Sequence, residues 1–242
     1  MISYHLLTNP GERENNEDSV GMFQMGEEYC FALADGLGGH GKGEVASQIA
    51  VEQAITTFAQ MQTASTECMI KAFNSGQKTI LDTQKSDRAA FDMKTTFVML
   101  LVGAEMIQWA HIGDSRLYYF ENNKLLERTL DHSVPQMLVS AGQIKEKQIR
   151  HHPDRNRLLR VMGIDWDEPK FQLGEPRPRK AGQAFLLCSD GFWELIDEKK
   201  MTSALKKSES PQEWIRMMEE TVVKQGRGRN MDNYSAVAVW ID

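Results

Sequence analysis

The stretch TTFVMLLVGAEMIQWAHIGDSRLYYFENNKLLERTL, residues 95–130, decides the fold class. It consists of consecutive strand-like runs separated by only a few turn residues, and no helix fits between them. Because parallel strands need long crossover connections, this block predicts antiparallel strands. It therefore disfavours the doubly wound parallel sheet on which phosphate-binding loops usually lie.

The segments on either side of this block complete the predicted architecture. The runs at 20–25 and 29–34 predict an antiparallel hairpin. Apolar spacings of three and four residues predict helices at 45–58 and 68–81, and later at 192–205 and 211–224. Residues 134–163 are helical or irregular, and strands are predicted at QAFLLCSD and SAVAVWI. The pattern favours sheets packed together with helices on their outer faces, an α+β fold.

Composition narrows the class of protein. The chain has 242 residues, of which 41% are hydrophobic and 26% charged, as expected for one globular domain. A formal net charge of −6 argues against a non-specific nucleic-acid binder. The three cysteines form no disulfide or zinc pattern, and we find neither a signal peptide nor a membrane span. We expect a cytoplasmic protein with no nucleic-acid or membrane partner.

A glycine-rich loop in ALADGLGGHGKGEVAS, residues 32–47, allows two interpretations. Residues 36–42 fit the G-x-x-x-x-G-K opening of a phosphate-binding loop. That motif requires a serine or threonine after the lysine, and Gly43 stands there instead. A nucleotide hydrolase, with Asp190 as its magnesium ligand, remains the alternative to a metal site built around Asp35.

Acidic residues recur where strand-like runs stop. They are Asp35 in FALADG, Asp114 in AHIGDS, Asp190 in FLLCSDG and Asp232 in GRNMDN, together with Glu17 and Asp18 in NNEDS. Hard oxygen ligands gathered in this way suit Mg²⁺ or Mn²⁺, and the carbonyl of Gly36 could join them. Each Asp-Gly pair taken alone is more often a structural turn. The metal hypothesis therefore depends on the whole set.

The chain resembles the metal-dependent protein serine/threonine phosphatases of type 2C. The matching segments occur in family order and are GERENNEDS, ADGLGGHGKGEVAS, TTFVMLLV, AHIGDSRLYYF, TLDHS, HHPDRNRLLRVMG, LCSDGFWE and DNYSAVAV. The resemblance implies a four-layer α-β-β-α sandwich of two mainly antiparallel sheets flanked by helices. It also implies a single catalytic domain over residues 1–242, with a flap-like insertion at about 140–175.

The resemblance implies a site for two Mn²⁺ or Mg²⁺ ions and a weaker third ion. The implied ligands are Asp35 and the Gly36 carbonyl, Asp190 and Asp232, Glu17 or Asp18 through the water shell of the second ion, and Asp114 with Asp190 at the third site. Asp35 would be shared by the first two ions. The alternative for Asp114 is a turn aspartate that bonds to its own backbone.

Two further residues match catalytic positions of the family. Arg13 matches the phosphate-binding arginine, a role that suits the planar guanidinium. Some relatives carry a histidine directly after the DG, where this chain has Leu37. His40 could instead protonate the leaving group, order a metal-bound water or only hydrogen-bond within the loop, and the last role is favoured for a lone histidine.

The implied reaction is hydrolysis of phosphoserine and phosphothreonine in proteins by a hydroxide that bridges the two ions. No phosphoenzyme is needed, and none of the three cysteines begins a C-x-x-x-x-x-R signature. The implied partners are phosphorylated proteins and, as for bacterial relatives, an opposing serine/threonine kinase. We expect a monomer. A catalytically silent family member would have lost metal aspartates, and Asp35, Asp190 and Asp232 are all present.

Overall fold

Two antiparallel sheets form the centre of the molecule. The structure is a computed structural model, and it describes residues 1–37 and 42–242. The strands are β1 (Ile2–Asn9), β2 (Asp18–Met25), β3 (Glu28–Leu37), β4 (Lys94–Thr95), β5 (Phe97–Val102), β6 (Met106–Ile112), β7 (Arg116–Glu121), β8 (Lys124–Arg128), β9 (Gln172–Leu173), β10 (Arg177–Pro178), β11 (Gln183–Cys188) and β12 (Tyr234–Ile241). The helices are α1 (Gly43–Met61), α2 (Thr66–Ser86), α3 (Val134–Ser140), α4 (Asp190–Trp193), α5 (Glu198–Leu205) and α6 (Pro211–Gly226), with short 3-10 helices at Arg88–Ala90 and Glu146–His151.

The strand order confirms the antiparallel prediction. The first sheet has the order β1-β12-β11-β7-β8, and the second has the order β10-β6-β5-β3-β2, with β4 on β3 and β9 on β6. Every pairing between these described strands is antiparallel. The block at 95–130 supplies β5 to β8 without an intervening helix, as its short turns predict. This sheet order is not that of a doubly wound fold.

Both faces of the central strands are buried. Along β3, Phe31 and Leu33 point into the core between the two sheets. The alternate residues Cys30, Ala32 and Ala34 point the other way, into the core beneath α1 and α2. Since successive side chains of a strand lie on opposite faces, one apolar run supplies both layers of the core.

Helices cover the outer face of each sheet. Ala46, Ala50 and Phe58 of α1 pack on the second sheet, while Met201 of α5 and Trp214 of α6 pack on the first. The result is the predicted four-layer α-β-β-α sandwich. In the described ranges, no helix combines the length and the apolar character that crossing a membrane would require.

Two of the longer elements differ from the sequence predictions, and the two-residue strands β9 and β10 were not predicted either. The first is β1, an edge strand that the sequence analysis did not predict and that pairs with β12 along its whole length. The second is the predicted helix 192–205, which is two helices, α4 and α5. The break occurs because the side chain of Asp197 accepts a hydrogen bond from the Lys200 backbone and begins a new helix.

Candidate active site

The predicted acidic residues meet at one edge of the sandwich. Asp114 follows β6 and Asp190 follows β11, as predicted, whereas Asp35 lies inside β3. The prediction that each aspartate ends a strand is wrong for Asp232, which precedes β12. The reason is the antiparallel order, because one sheet edge then receives the ends of some strands and the beginnings of others.

These residues line a cavity of about 560 Å³, which we call the acidic cavity. Its lining comprises Arg13, Glu14, Asn15, Glu17, Asp35, Gly36, Leu37, Asp114, Asn156, Leu158, Asp190, Asp232 and Asn233. All the predicted site residues are thus brought together except two. Asp18 is not part of the lining, and His40 lies outside the described residues.

Asp18 lies buried, paired with Asp35 across the β2–β3 ladder. Its Oδ2 accepts a hydrogen bond of 2.7 Å from the Ser189 hydroxyl, whereas its buried Oδ1 has no partner among the described residues. The pKa of Asp18 is raised to about 7, chiefly by burial; hydrogen bonds from nearby serine hydroxyls lower it, and the charges of Asp190 and Asp232 raise it.

The other carboxylates are perturbed in the same direction. Burial raises the pKa of Asp35 and of Asp114 well above the usual range, and the nearby carboxylates add to the effect. Burial, followed by the charge of Asp232, also raises the pKa of Asp190. A group of desolvated acids that repel one another, with an unpartnered oxygen on Asp18, has the chemistry of a divalent-cation site.

Two glycines, Gly36 and Gly191, allow neighbouring backbone segments to pack closely beside the aspartates. A Cβ on Gly36 would lie 2.2 Å from the carbonyl oxygen of Gly43, and the Gly36 N–H donates to the Glu17 carbonyl at 3.1 Å. A Cβ on Gly191 would lie 2.0 Å from the Asn233 carbonyl oxygen. A side chain at either position would displace the neighbouring aspartate.

Several acidic side chains of the site form ion pairs or hydrogen bonds with other residues of the protein. Arg13 Nη2 lies 3.0 Å from Asp232 Oδ2, and the other oxygen of Asp232 accepts the Asn233 N–H at 2.9 Å. Among the described residues, no three acidic, histidine or cysteine side chains are arranged as a metal-ligand group. Instead, Asp232 is paired with Arg13, and Asp18 accepts a hydrogen bond from Ser189.

Asn233 is a central residue that the sequence analysis did not identify. Its amide nitrogen donates to the carbonyls of Pro10 and Asn15 at 2.9 and 2.8 Å, and its oxygen accepts the Glu17 N–H at 2.8 Å. One buried side chain thereby fixes the turn that carries Arg13 and Glu17 against the beginning of β12. In the sequence, only its position next to Asp232 could have identified Asn233 as a residue of the site.

Threonines hold Asp35 from the other side. The Thr96 hydroxyl accepts the Asp35 N–H at 3.1 Å, and the Thr95 hydroxyl donates to the Asp35 carbonyl at 2.8 Å. The sequence analysis assigned both residues only to a strand. Because their hydrogen bonds fix the backbone of Asp35, they orient its carboxylate without touching the cavity.

A buried cation and an indole support Asp114. The indole N–H of Trp193 donates to the Asp114 carbonyl at 3.0 Å. The Arg116 guanidinium lies 3.4 Å from the centre of that indole ring and pairs through two 2.7 Å hydrogen bonds with Asp131. Since Trp193 belongs to the helix that begins at Asp190, this contact ties the Asp114 turn to α4.

The chain shares its four-layer sandwich with bacterial protein phosphatases of known structure. More narrowly, the family model of Protein phosphatase 2C matches residues 11–231, and the chain belongs to this family. Its enzyme class is therefore protein serine/threonine phosphatase.

Similar proteins agree with this assignment. The chain is 32% identical over 209 residues to Serine/threonine phosphatase stp of Listeria welshimeri, an alignment that covers 82% of this chain and 80% of that protein. It is 31% identical over 228 residues to Serine/threonine protein phosphatase PstP of Mycobacterium tuberculosis, covering 93% of this chain and 42% of that protein.

Solved structures show the same fold. Serine/threonine phosphatase Stp1 from Staphylococcus aureus is 25% identical with a TM-score of 0.89, and the alignment covers 100% of this chain and 96% of Stp1. The catalytic domain of PstP, solved in complex with 2 manganese ions, is 28% identical with a TM-score of 0.83, over 100% of this chain and 99% of that domain.

Proposed function

We propose that this chain hydrolyses phosphoserine and phosphothreonine in proteins at the acidic cavity, with Mn²⁺ or Mg²⁺ as its cofactor. The observation that carries the proposal is the convergence of Asp35, Asp114, Asp190 and Asp232 on one cavity beside Arg13. These residues come from distant parts of the chain, and a bound cation would offset their mutual repulsion. The PstP structure with 2 manganese ions supports this cofactor.

The residues divide into two groups of metal ligands and one phosphate-binding residue. Asp35, Asp190 and Asp232 would hold two ions together with the Gly36 carbonyl, and Glu17 or Asp18 would act through water. Asp114 would join Asp190 at a weaker third ion. When bound, such ions supply Lewis-acid chemistry, which lowers the pKa of water and offsets the charge of the phosphate.

Arg13 would bind the phosphate of the substrate. In the described structure only one of its amino groups, Nη2, pairs with Asp232. With Asp232 bound to a cation, the Arg13 guanidinium would be free to take two phosphate oxygens and to orient the phosphate for attack by water. The proton for the departing serine or threonine oxygen would come from His40 or from solvent.

The proposed function includes a domain organisation, a cellular location and an opposing enzyme. We infer that residues 1–242 form one catalytic domain with a flap-like segment at about 140–175, which acts in the cytoplasm as a monomer against a serine/threonine kinase. Asn156 and Leu158 of this segment line the acidic cavity, which supports its contact with substrate.

Hydrolysis of a phosphoserine peptide tests the proposal. We expect activity with Mn²⁺, none with EDTA, and a loss of more than about 100-fold in kcat/KM in Asp35→Asn and Asp190→Asn. Asp82→Asn is the matched control, since Asp82 is an exposed residue of α2 paired with Lys78. ATP hydrolysis without peptide hydrolysis would favour a nucleotide hydrolase, and no turnover at all would indicate a silent binding module.

A further inference from the structure

A smaller cavity of about 200 Å³ adjoins the acidic cavity, and we call it the flank pocket. The two cavities share Arg13, Asn156, Asp190 and Asp232 as lining residues. The flank pocket extends away from the aspartates toward Arg155 of the flap-like segment and Arg229 after α6. A peptide bound with its phosphate in the acidic cavity would have neighbouring residues within reach of this pocket, because each residue spans about 3.5 Å.

The arginines of the flank pocket have unused donor groups. Arg155 contacts Glu194 through Nε alone, at 3.0 Å, and its terminal amino groups bond to none of the described residues. Arg229 is exposed, and its side chain makes no ion pair or hydrogen bond within residues 1–37 and 42–242. A guanidinium presents five N–H donors, so both residues could receive an anionic group without breaking an existing contact.

The loop that carries Arg229 is held in position. Glu12 accepts hydrogen bonds from the backbone N–H groups of Gly228 at 2.6 Å and Met231 at 3.1 Å, which lower its pKa. Its own N–H donates to the Met231 carbonyl at 2.9 Å. Because Glu12 directly precedes Arg13, these bonds fix Arg229 relative to the phosphate-binding residue. The spacing of the two arginines is thus set by the fold.

The charge balance of the flank pocket favours an anion once the acidic cavity holds its cations. The acidic residues of the lining are Asp190, Asp232 and Glu194. The first two belong to the acidic cavity and would be offset there, while Glu194 is matched by Arg155. Arg229 then has no acidic counterpart, and Arg13 loses its pairing with Asp232.

We propose that the flank pocket binds an anionic side chain of the substrate, a carboxylate or a second phosphoryl group, close to the phosphorylated residue. Arg229 and Arg155 are then specificity-determining residues, which make the enzyme prefer phosphorylation sites in acidic surroundings. This inference rests on the proposed function, since it supposes that a phosphopeptide occupies the acidic cavity.

A set of matched phosphoserine peptides tests the inference. Each carries Glu, Gln, Lys or a non-hydrolysable phosphonate at one position within three residues of the phosphoserine. For the wild type we expect kcat/KM for Glu to exceed that for Gln by about 3- to 10-fold at one or more positions, and the phosphonate to exceed both. Because the two peptides undergo the same hydrolytic step, a variant that changes only this step leaves the ratio of their kcat/KM values unchanged.

Variants assign the preference to the pocket. We expect Arg229→Ala and Arg155→Ala to bring the Glu/Gln ratio close to 1, and Arg229→Glu to reverse the preference toward Lys. Arg227→Ala is the control, because Arg227 is exposed two residues away and does not line the flank pocket. It should keep the wild-type ratio.

Two results would overturn the inference while the proposed function stands. One is equal kcat/KM for Glu, Gln and Lys at every position, and the other is a Glu preference that survives in Arg229→Ala and Arg155→Ala. Hydrolysis of the Gln peptide by the wild type, measured in the same series, tests the proposed function by itself. Its absence would overturn both proposals.

Discussion

Arg13 and Asp232 form an ion pair of 3.0 Å in which 41% and 51% of the side chains are exposed. Exposed pairs of this kind contribute about 0–1 kcal/mol, so other partners can replace either member. Asp232 is therefore able to exchange Arg13 for a cation, and Arg13 to exchange Asp232 for a phosphate. The ion pair thus satisfies the charge of each side chain until a cation binds Asp232 or a phosphate binds Arg13.

The first prediction concerns Arg13. Arg13→Ala should lower kcat/KM for a phosphoserine peptide by about 10- to 100-fold, because charge-assisted hydrogen bonds to phosphate contribute about 1.5–3 kcal/mol. Steady-state kinetics at saturating Mn²⁺ measure the effect. Arg216→Ala, on the exposed face of α6 beside Glu220, serves as the control and should leave kcat/KM unchanged. An Arg13→Ala variant as active as the wild type would contradict the assigned role.

The acidic residues could be identified from the sequence, whereas their supports could not. A carboxylate beside an apolar strand is unusual, and for this reason Asp35, Asp114 and Asp190 were identifiable. Asn233 and Thr96 act on backbone groups of segments far from them in the chain. Amide and hydroxyl side chains are common in turns and strands, so nothing in the residue pattern distinguishes these two.

The turn at residues 10–17 and the beginning of β12 are held together by the side chain of Asn233. We predict that Asn233→Ala lowers the free energy of unfolding by about 2–4 kcal/mol, because three partly buried hydrogen bonds are lost and backbone groups are left unpaired. Urea denaturation measures this change. The control is Asn74→Ala at an exposed position of α2, which should change stability by less than about 0.5 kcal/mol.

An equal loss in both variants, or none in Asn233→Ala, would show that the Asn233 hydrogen bonds are not needed to hold the turn. A further consequence is local. Since Glu17 and Arg13 belong to this turn, Asn233→Ala should also weaken Mn²⁺ binding, whereas Asn74→Ala should not.

Strands and helices could be predicted where the residues that flank a segment limit the connections it can make. The short turns in residues 95–130 exclude crossovers, so β5 to β8 and their antiparallel order followed directly. β1 was missed because it is an edge strand that mixes Ser3, His5 and Thr8 with apolar residues and is only half buried. The break between α4 and α5 was missed because apolar residues continue across it and Asp197 is an inconspicuous cap.

The buried carboxylates make the stability of the protein depend on pH. The pKa of Asp18 is about 7 in the folded protein against an ordinary value of 3.8, and the pKa values of Asp35, Asp114 and Asp190 are also raised. A raised folded pKa means that the folded state binds more protons. The stability that Asp18 contributes is complete below about pH 4 and is lost as the pH rises through about 7, and the other three carboxylates act in the same direction.

The prediction is that the melting temperature of the metal-free protein falls between pH 5 and pH 8. A tenfold difference in proton affinity between the folded and unfolded states is worth about 1.4 kcal/mol, enough to shift Tm by several degrees. Asp18→Asn should show a smaller fall because it lacks one of these groups, and Mn²⁺ should reduce the fall in the wild type. A Tm that rises with pH over this range in the metal-free wild type would contradict the burial of these acids.

Calorimetric titration of metal-free protein with Mn²⁺ near pH 7.5 tests the central claim most directly, namely that the converging aspartates bind divalent cations. We predict two tightly bound ions for each chain, the number present in the PstP structure, and a weaker third ion. We also expect Asp35→Asn to lower the affinity by more than about 100-fold, while Asp82→Asn binds like the wild type. Manganese binding that Asp35→Asn leaves unchanged, or no binding by the wild type, would contradict the assignment of a cation site to these aspartates.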